Sequence, residues 1–403
     1  MRVLQINAVE EILSTGRTVT EFDAFLTAHG VDSYIACSTT VADTGSYAIG
    51  TAFEKKAHAL LSRLTGKQAW FSKGGTENLL KYIDKIKPDA VILRVLHGNF
   101  VCFPLLMKYL AKKNIVTVLF LHDCWYYTGK CCYYSQSDCD KWKSGCGNCP
   151  RLRFDNVSWF FDRTAQLWKA KKNLYENIPR LGVVGVSKWI ADEARQSPLF
   201  ASAVAVEGIY NGIDFDKFHA MPQAAQELRE THHLENKRIL LGVSSQWDMR
   251  KGLADLEELA KFVSENEQIV CIGMLPNGLK LPKNVLHIPR TDNVQALAAW
   301  YSAADVFLNL SKEETFGKVS AEALSCGTPV VCYNTTANPE IVGEGCGAVC
   351  KDLDVRAYWQ AVQTVLANGK AHYADACQSF AHERFDKTAN YAKVLAFIEK
   401  LMQ

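Results

Sequence analysis

Ser311-Lys-Glu-Glu-Thr-Phe-Gly-Lys-Val-Ser-Ala-Glu-Ala-Leu-Ser-Cys-Gly-Thr-Pro-Val330 carries two carboxylates, Glu314 and Glu322, with seven residues between them. Val306-Phe-Leu-Asn-Leu310 before it reads as a buried parallel strand, and Gly327-Thr-Pro-Val-Val-Cys332 leads into the next. The unit is therefore strand, glycine-containing turn, helix, strand. Such a unit presents a loop and a helix N-terminus at the carboxyl edge of a sheet, where anions bind. The first carboxylate falls on the loop and the second inside the helix. The stretch Glu314-Thr315-Phe316-Gly317-Lys318 supplies amides between them for a phosphate. Exposed helix glutamates are the bland reading, but the turn, the strand context and Cys326-Gly-Thr-Pro329 all agree on a site.

The segment resembles the E-x7-E motif of retaining, nucleotide-sugar-dependent glycosyltransferases of family 4. Those enzymes have the GT-B fold, so the resemblance implies an α/β chain of two facing Rossmann-like domains with a central cleft. It also implies retaining transfer from a UDP- or GDP-sugar without a catalytic metal. In that scheme Glu314 holds donor-sugar hydroxyls, Glu322 holds the ribose, and a diphosphate oxygen takes the acceptor proton. Paired carboxylates also suit a glycosidase, but glycoside hydrolysis has no use for phosphate-cradling loops.

Length and composition agree with two domains. The chain has 403 residues, enough for two full cores, with 48% hydrophobic and 22% charged residues. A net charge of +2 does not by itself suggest a nucleic-acid binder. No apolar run reaches the length of a membrane span. Met1-Arg-Val-Leu-Gln-Ile-Asn7 reads as a buried strand, not a signal peptide, so the expected location is cytoplasmic. Fourteen cysteines are then expected as thiols or metal ligands.

Alternating patterns run through both halves. Strands are expected at 3–6, 32–36, 90–93 and 116–121, then at 238–243, 269–272, 306–310 and 329–332. Helices are expected at 18–28, 53–64, 76–86 and 104–112, then at 253–264, 294–302, 319–324 and 355–367. Tyr210-Asn-Gly-Ile-Asp214 is a turn signal at the interdomain boundary. The expected division is 1–212 for acceptor binding, with a cysteine-rich insertion at 124–150, and 213–388 for the nucleotide sugar. An amphipathic helix over 389–403 is expected to pack back on the first domain.

Other site candidates follow from strand ends. In Ser244-Ser-Gln-Trp-Asp-Met-Arg-Lys-Gly252, Arg250 and Lys251 can neutralise a leaving diphosphate; a solvated pair is the alternative. The family usually has an arginine a few positions earlier, where this chain has Ser245, so either Arg250 substitutes or Lys251 carries the charge. Ile288-Pro-Arg-Thr-Asp-Asn293 looks like the family's nucleobase loop, with Arg290 either in it or merely on the surface. Glu11-Ile-Leu-Ser-Thr-Gly-Arg17 follows the first strand, and Gly16 there would let backbone approach a phosphate. Phe120-Leu-His-Asp-Cys-Trp125 ends a strand with His122, at a position where the family often has a histidine near the reacting sugar. His122 can instead be structural. Asp123 can orient it or act as a base, and His97 can line the acceptor pocket.

Cys131, Cys132, Cys139, Cys146 and Cys149 crowd one segment. Cys139, Cys146 and Cys149, with Cys131 or Cys132, match a structural tetrahedral zinc site; unmetallated thiols or disulfides are the alternatives. Around them, Thr128-Gly-Lys-Cys131, Asp140-Lys-Trp142 and Cys146-Gly-Asn-Cys-Pro150 resemble a bacterial polysaccharide subgroup of family 4 that includes colanic-acid fucosyltransferases. The resemblance implies a saccharide acceptor, expected in lipid-linked form. Residues 140–181 hold nine Lys or Arg against four Asp or Glu, interleaved with Trp142, Trp159, Phe160, Phe161 and Trp168. That mixture suits an anionic membrane surface, reached peripherally from the inner face of the plasma membrane; single-stranded nucleic acid or a solvated face over a local core are the alternatives. No nucleic-acid partner is expected. The rival readings are a nucleotide-sugar epimerase of the same fold and a non-catalytic partner protein.

Overall fold

The computed structural model describes residues 1–403, the Leu13 side chain excepted. The chain forms two compact units, residues 1–209 with 388–403, and residues 210–387. The division falls in the Ile209–Asp214 stretch that holds the Asn-Gly turn.

The first unit is a seven-stranded parallel sheet. Its strands are β1 (Arg2–Val9), β2 (Asp32–Thr39), β3 (Tyr47–Ala48), β4 (Ala90–Leu93), β5 (Val116–Leu121), β6 (Leu181–Gly185) and β7 (Ala205–Gly208). Their order is β3-β2-β1-β4-β5-β6-β7. β4 and β5 are buried along their whole length and apolar but for Thr117, as strands covered by helices on both faces tend to be. Both occupy the bounds read from the sequence. Helix Lys387–Met402 adds to this unit, with Phe397 and Leu401 lying against Gly182 of β6. A Cβ at Gly182 would meet the Leu401 side chain at 2.4 Å.

The second unit repeats the design with six parallel strands: β8 (Arg238–Gln246), β9 (Glu267–Met274), β10 (Val285–Ile288), β11 (Val306–Asn309), β12 (Val330–Tyr333) and β13 (Gly347–Cys350). The order is β10-β9-β8-β11-β12-β13. Both sheets thus run outward in opposite directions from a central pair, the doubly wound arrangement. The expected α/β class with two Rossmann-like domains is borne out. The reversal points are β1/β4 and β8/β11. In such sheets ligands bind beyond the carboxyl ends of the strands at the reversal.

Several elements differ from expectation. The first helix begins at Leu13 rather than near residue 18. The helix after β8 stops at Leu259, short of 264. The sequence reading passed over β3, β6, β7, β10 and β13, and helices Thr164–Glu176, Lys188–Gln196, Pro222–Thr231 and Lys370–Phe385. Among the described residues, no helix is long and apolar enough to cross a membrane.

Candidate functional site

At the reversal point of the second sheet, β8 and β11 lie side by side, and the loops leaving them meet. Lys312 N donates to Arg250 O at 2.9 Å, which ties one loop to the other. Gly252 makes the approach sterically possible. Its φ is +77°, and a Cβ there would stand 2.3 Å from Leu310 O. The loop after β11 is pinned from below: Asn309 Oδ1 accepts from Ser311 N at 3.1 Å, and Asn338 Nδ2 donates to Ser311 O at 2.8 Å. Ala337 N donates to Glu314 O at 3.1 Å, and Glu314 N to Thr336 Oγ1 at 2.9 Å. Glu314 therefore has its backbone held on both sides.

Its carboxylate is ion-paired with the Lys251 ammonium. Burial pushes the Glu314 carboxyl up, but Lys251, Arg250 and the Thr315 amide prevail and hold it below the ordinary range. Arg250 is fixed in turn, donating from Nη1 to Glu313 O at 3.3 Å. Arg250 and Lys251 thus flank one carboxylate. Gly317, with φ +83°, turns the chain into helix Lys318–Ser325. The first amides of a helix have no intrahelical acceptor and carry partial positive charge. Glu322 lies in this helix, buried, and accepts from Tyr301 Oη at 3.0 Å. Thr315 and Phe316 are buried; the Phe316 ring packs near Tyr210 and Phe385, so its side chain is structural. Arg290 is exposed on a separate loop, between β10 and helix Val294–Ala303.

At the first sheet's carboxyl edge the sequence reading needs one correction, at Gly16, and one addition, at Asp123. Gly16 is not in a phosphate-approaching loop; it sits in the first turn of helix Leu13–Ala28. A Cβ there would lie 3.0 Å from Glu11 N and 3.1 Å from the Glu10 carbonyl carbon, so this glycine lets the helix fold tightly onto the turn before it. Asp123 is hydrogen-bonded to residues other than His122. Its Oδ2 pairs with His97 Nε2 at 2.7 Å, and its Oδ1 accepts from Trp125 N at 2.9 Å. Burial pushes the Asp123 carboxyl up, but His97 and the Trp125 amide hold it below the usual range. His122 is met by Arg94, whose Nη1 is 3.2 Å from His122 Nε2. Arg94 is fully buried and also donates from Nε to Gln5 Oε1 at 3.1 Å. A guanidinium has no acceptor, so His122 Nε2 must accept and a neutral ring keeps its proton on Nδ1. Sequence reasoning missed Arg94, although it directly follows the apolar β4.

The cysteine-rich segment holds thiols, and among the described residues no cysteine is in a disulfide. Cys131, Cys139, Cys146 and Cys149 are half-buried and line one small cavity. The aromatics divide. Trp142 and Trp168 are core residues, whereas Phe154, Trp159, Phe160 and Phe161 are exposed.

Comparison with known proteins fits this geometry. Residues 237–368 match the family model described as "Glycosyl transferases group 1". That part of the chain is similar to the members of this family. It contains Arg250, Lys251, Glu314 and Glu322. The chain is 25% identical over 276 residues to a protein named as a colanic acid biosynthesis glycosyl transferase, WcaC, of Escherichia coli (strain K12), covering 66% of this chain and 65% of that one. It is 27% identical over 178 residues to N-acetyl-alpha-D-glucosaminyl L-malate synthase of Bacillus anthracis, covering 41% of this chain and 46% of that protein. The matches thus span about half to two thirds of these relatives' lengths. Among solved structures, Anabaena HepE in complex with UDP superposes with a TM-score of 0.69 at 15% identity, over 99% of this chain and 100% of that one. The fold is GT-B, and the likeness to bacterial polysaccharide glycosyltransferases is borne out.

Proposed function

We propose that this chain is a retaining glycosyltransferase of family 4 that moves a sugar from a UDP- or GDP-sugar to a lipid-linked saccharide in bacterial surface polysaccharide synthesis. The observation that carries this reading is the buried, ionised Glu314 between Lys251 and the N-terminus of helix Lys318–Ser325, at a sheet reversal point. Positive groups and amides in that corner suit a diphosphate, and fixed acceptors suit sugar hydroxyls. Lys251 has three donors, enough to keep Glu314 and hold a phosphate oxygen as charge grows on the leaving group. Arg250 shares that role. Glu314 holds the donor sugar, Glu322 the ribose, and the amides from Thr315 to Lys318 the phosphates. Arg290 belongs to the nucleobase loop. His122 and Asp123 of the first unit serve the reacting sugar and the acceptor hydroxyl. Support for a nucleotide ligand comes also from HepE, whose structure holds UDP.

The acceptor class gives the exposed aromatics a use. Arg63 lies 6.0 Å from the Trp159 ring, Arg163 lies 5.3 Å from the Phe161 ring, and Trp159 N donates to Arg63 O at 2.7 Å. Helix Ala52–Thr65 adds exposed Phe53, Leu60 and Leu61. Aromatic and basic groups mixed in this way suit a peripheral contact with anionic lipid on the cytoplasmic side. Flotation with anionic vesicles at low salt tests that part: Phe160→Ser with Phe161→Ser releases the protein, and a wild-type chain that never floats removes the membrane from the reading.

The central test is a melting-temperature screen against nucleoside diphosphates and their sugars, followed by transfer and donor-hydrolysis assays with the best ligand. Preferential binding raises apparent stability. Binding without transfer or hydrolysis across the donor panel would favour a non-catalytic partner protein instead.

A further inference from the structure

Residues 122–163 connect β5 to helix Thr164–Glu176 with no strand and only 3-10 turns, at Cys124–Tyr126, Ser135–Ser137 and Lys141–Lys143. One side of this segment has its own small core. Tyr127 lies 5.0 Å and Tyr134 5.2 Å from Trp142 by ring centroid, and Trp168 Nε1 donates to Trp142 O at 3.0 Å. Phe154 lies outside this core, exposed. Beside the core, Cys131, Cys139, Cys146 and Cys149 surround one small cavity together with Lys130, Tyr134 and Trp142. The thiols of Cys131 and Cys149, eighteen positions apart, are hydrogen-bonded to each other.

The backbone around these cysteines is built for a ligand set. Cys146-Gly147-Asn148-Cys149 is a tight turn with φ +148° at Gly147 and +47° at Asn148. Lys141 Nζ clamps it, donating to Gly147 O at 3.1 Å and Asn148 O at 2.7 Å. Gly129 N donates to Cys146 Sγ at 3.2 Å, an amide-to-sulfur bond that favours a thiolate. Lys130 is buried beside Cys131 and Cys149, its Nζ bonded to Phe154 O at 2.7 Å and Asn156 O at 3.1 Å.

We propose that Cys131, Cys139, Cys146 and Cys149 form a structural tetrathiolate zinc site that staples residues 122–163. Four soft sulfur ligands in a closed set are the donors tetrahedral structural zinc takes. Binding displaces four thiol protons and leaves the oxidation state of every atom unchanged. Four thiolates and one dication sum to a charge of −2, which the buried Lys130 ammonium offsets in part. Among the described residues, the one group of three ligand atoms already within 4.8 Å of one another is His97, Asp123 and Cys132. That group is engaged internally: His97 bonds Asp123, Trp125 N bonds Asp123, and Asn156 Nδ2 donates to Cys132 Sγ at 3.5 Å.

The test uses the whole chain purified without chelator and needs no turnover, so it stands apart from the donor-site reading. Elemental analysis is expected to find about one equivalent of zinc. Cobalt substitution should give thiolate charge-transfer bands and the visible bands of a tetrahedral ion, and chelation should lower the melting temperature. Cys139→Ser and Cys146→Ser should lose the metal, and Cys132→Ser should keep it. Less than about half an equivalent in the wild-type chain overturns the proposal. So does metal that survives Cys139→Ser but not Cys132→Ser, or a Cys131–Cys149 disulfide found by mass spectrometry of the alkylated native protein.

Discussion

Arg94 Nη1 lies 3.2 Å from His122 Nε2, a contact that helps to set the ring. Arg94 is held over the Phe120 ring at 4.4 Å and against Gln5, so it is a fixed post. Arg94→Met is expected to free the His122 ring and leave Gln5 Oε1 without its donor. Unmet buried groups cost about 1–3 kcal/mol, so the melting temperature falls. Turnover should drop by roughly tenfold with little change in donor affinity, a loss of about 1.4 kcal/mol in the barrier. Steady-state kinetics with donor and acceptor varied separately check this.

Lys251 and Arg250 divide the work unequally. Lys251 pairs with Glu314 directly, whereas Arg250 is spent partly on the Glu313 carbonyl and lies 4.0 Å from Asp248. Lys251→Ala should therefore reduce turnover by roughly a hundredfold, and Arg250→Ala by roughly tenfold. Equal losses, or a larger one at Arg250, would assign the leaving-group charge to the arginine.

Glu314→Ala is expected to slow transfer by at least roughly a hundredfold while the far-ultraviolet spectrum stays native. The same residue gives a pH signature. Its folded-state pKa lies below the ordinary value of 4.5. The unfolded chain therefore takes up the proton first as pH falls. The stabilisation is complete above the ordinary value and is lost as pH falls through the lower, folded one. The stability gap between wild type and Glu314→Gln, measured by urea unfolding, should be constant at neutral pH and close in acid.

His58, in helix Ala52–Thr65, supplies a second case of the same sign but a different cause. Burial pulls its pKa from 6.5 to about 4, with Nδ1 2.8 Å from Ser72 Oγ. Between those values the unfolded chain holds a proton that the folded chain refuses, so stability declines as pH drops through that window. His58→Gln should flatten the decline. Urea midpoints at intervals between pH 7 and pH 4 decide it.

The parts legible in the sequence share one property: their signal is local. β4 and β5 could be read at their bounds because every residue in them but Thr117 is apolar, and a parallel strand buried on both faces needs little else. The loop from Glu314 to Gly317 could be read because strand, turn and helix follow one another without interruption. The start of the first helix could not. Thr15, Gly16 and Thr18 are poor helix formers, and packing against the Glu10–Glu11 turn overrides them. Nor could the partner of Asp123, since His97 lies 26 positions away and is brought in by sheet order. A lone arginine after a strand reads as solvent-facing. Only Gln5, Phe22 and Phe120, drawn from distant parts of the chain, make Arg94 a core residue.

Phe397 and Leu401 cover Gly182 of β6, although more than two hundred positions separate them. A nascent chain emerging from the ribosome has therefore completed both sheets before the flank of its first one is sealed. Until Phe397 and Leu401 arrive, the face of β6 at Gly182 stays open to chaperones or to misplaced neighbours. Changes that remove these two side chains are then expected to harm the half of the molecule that was translated first.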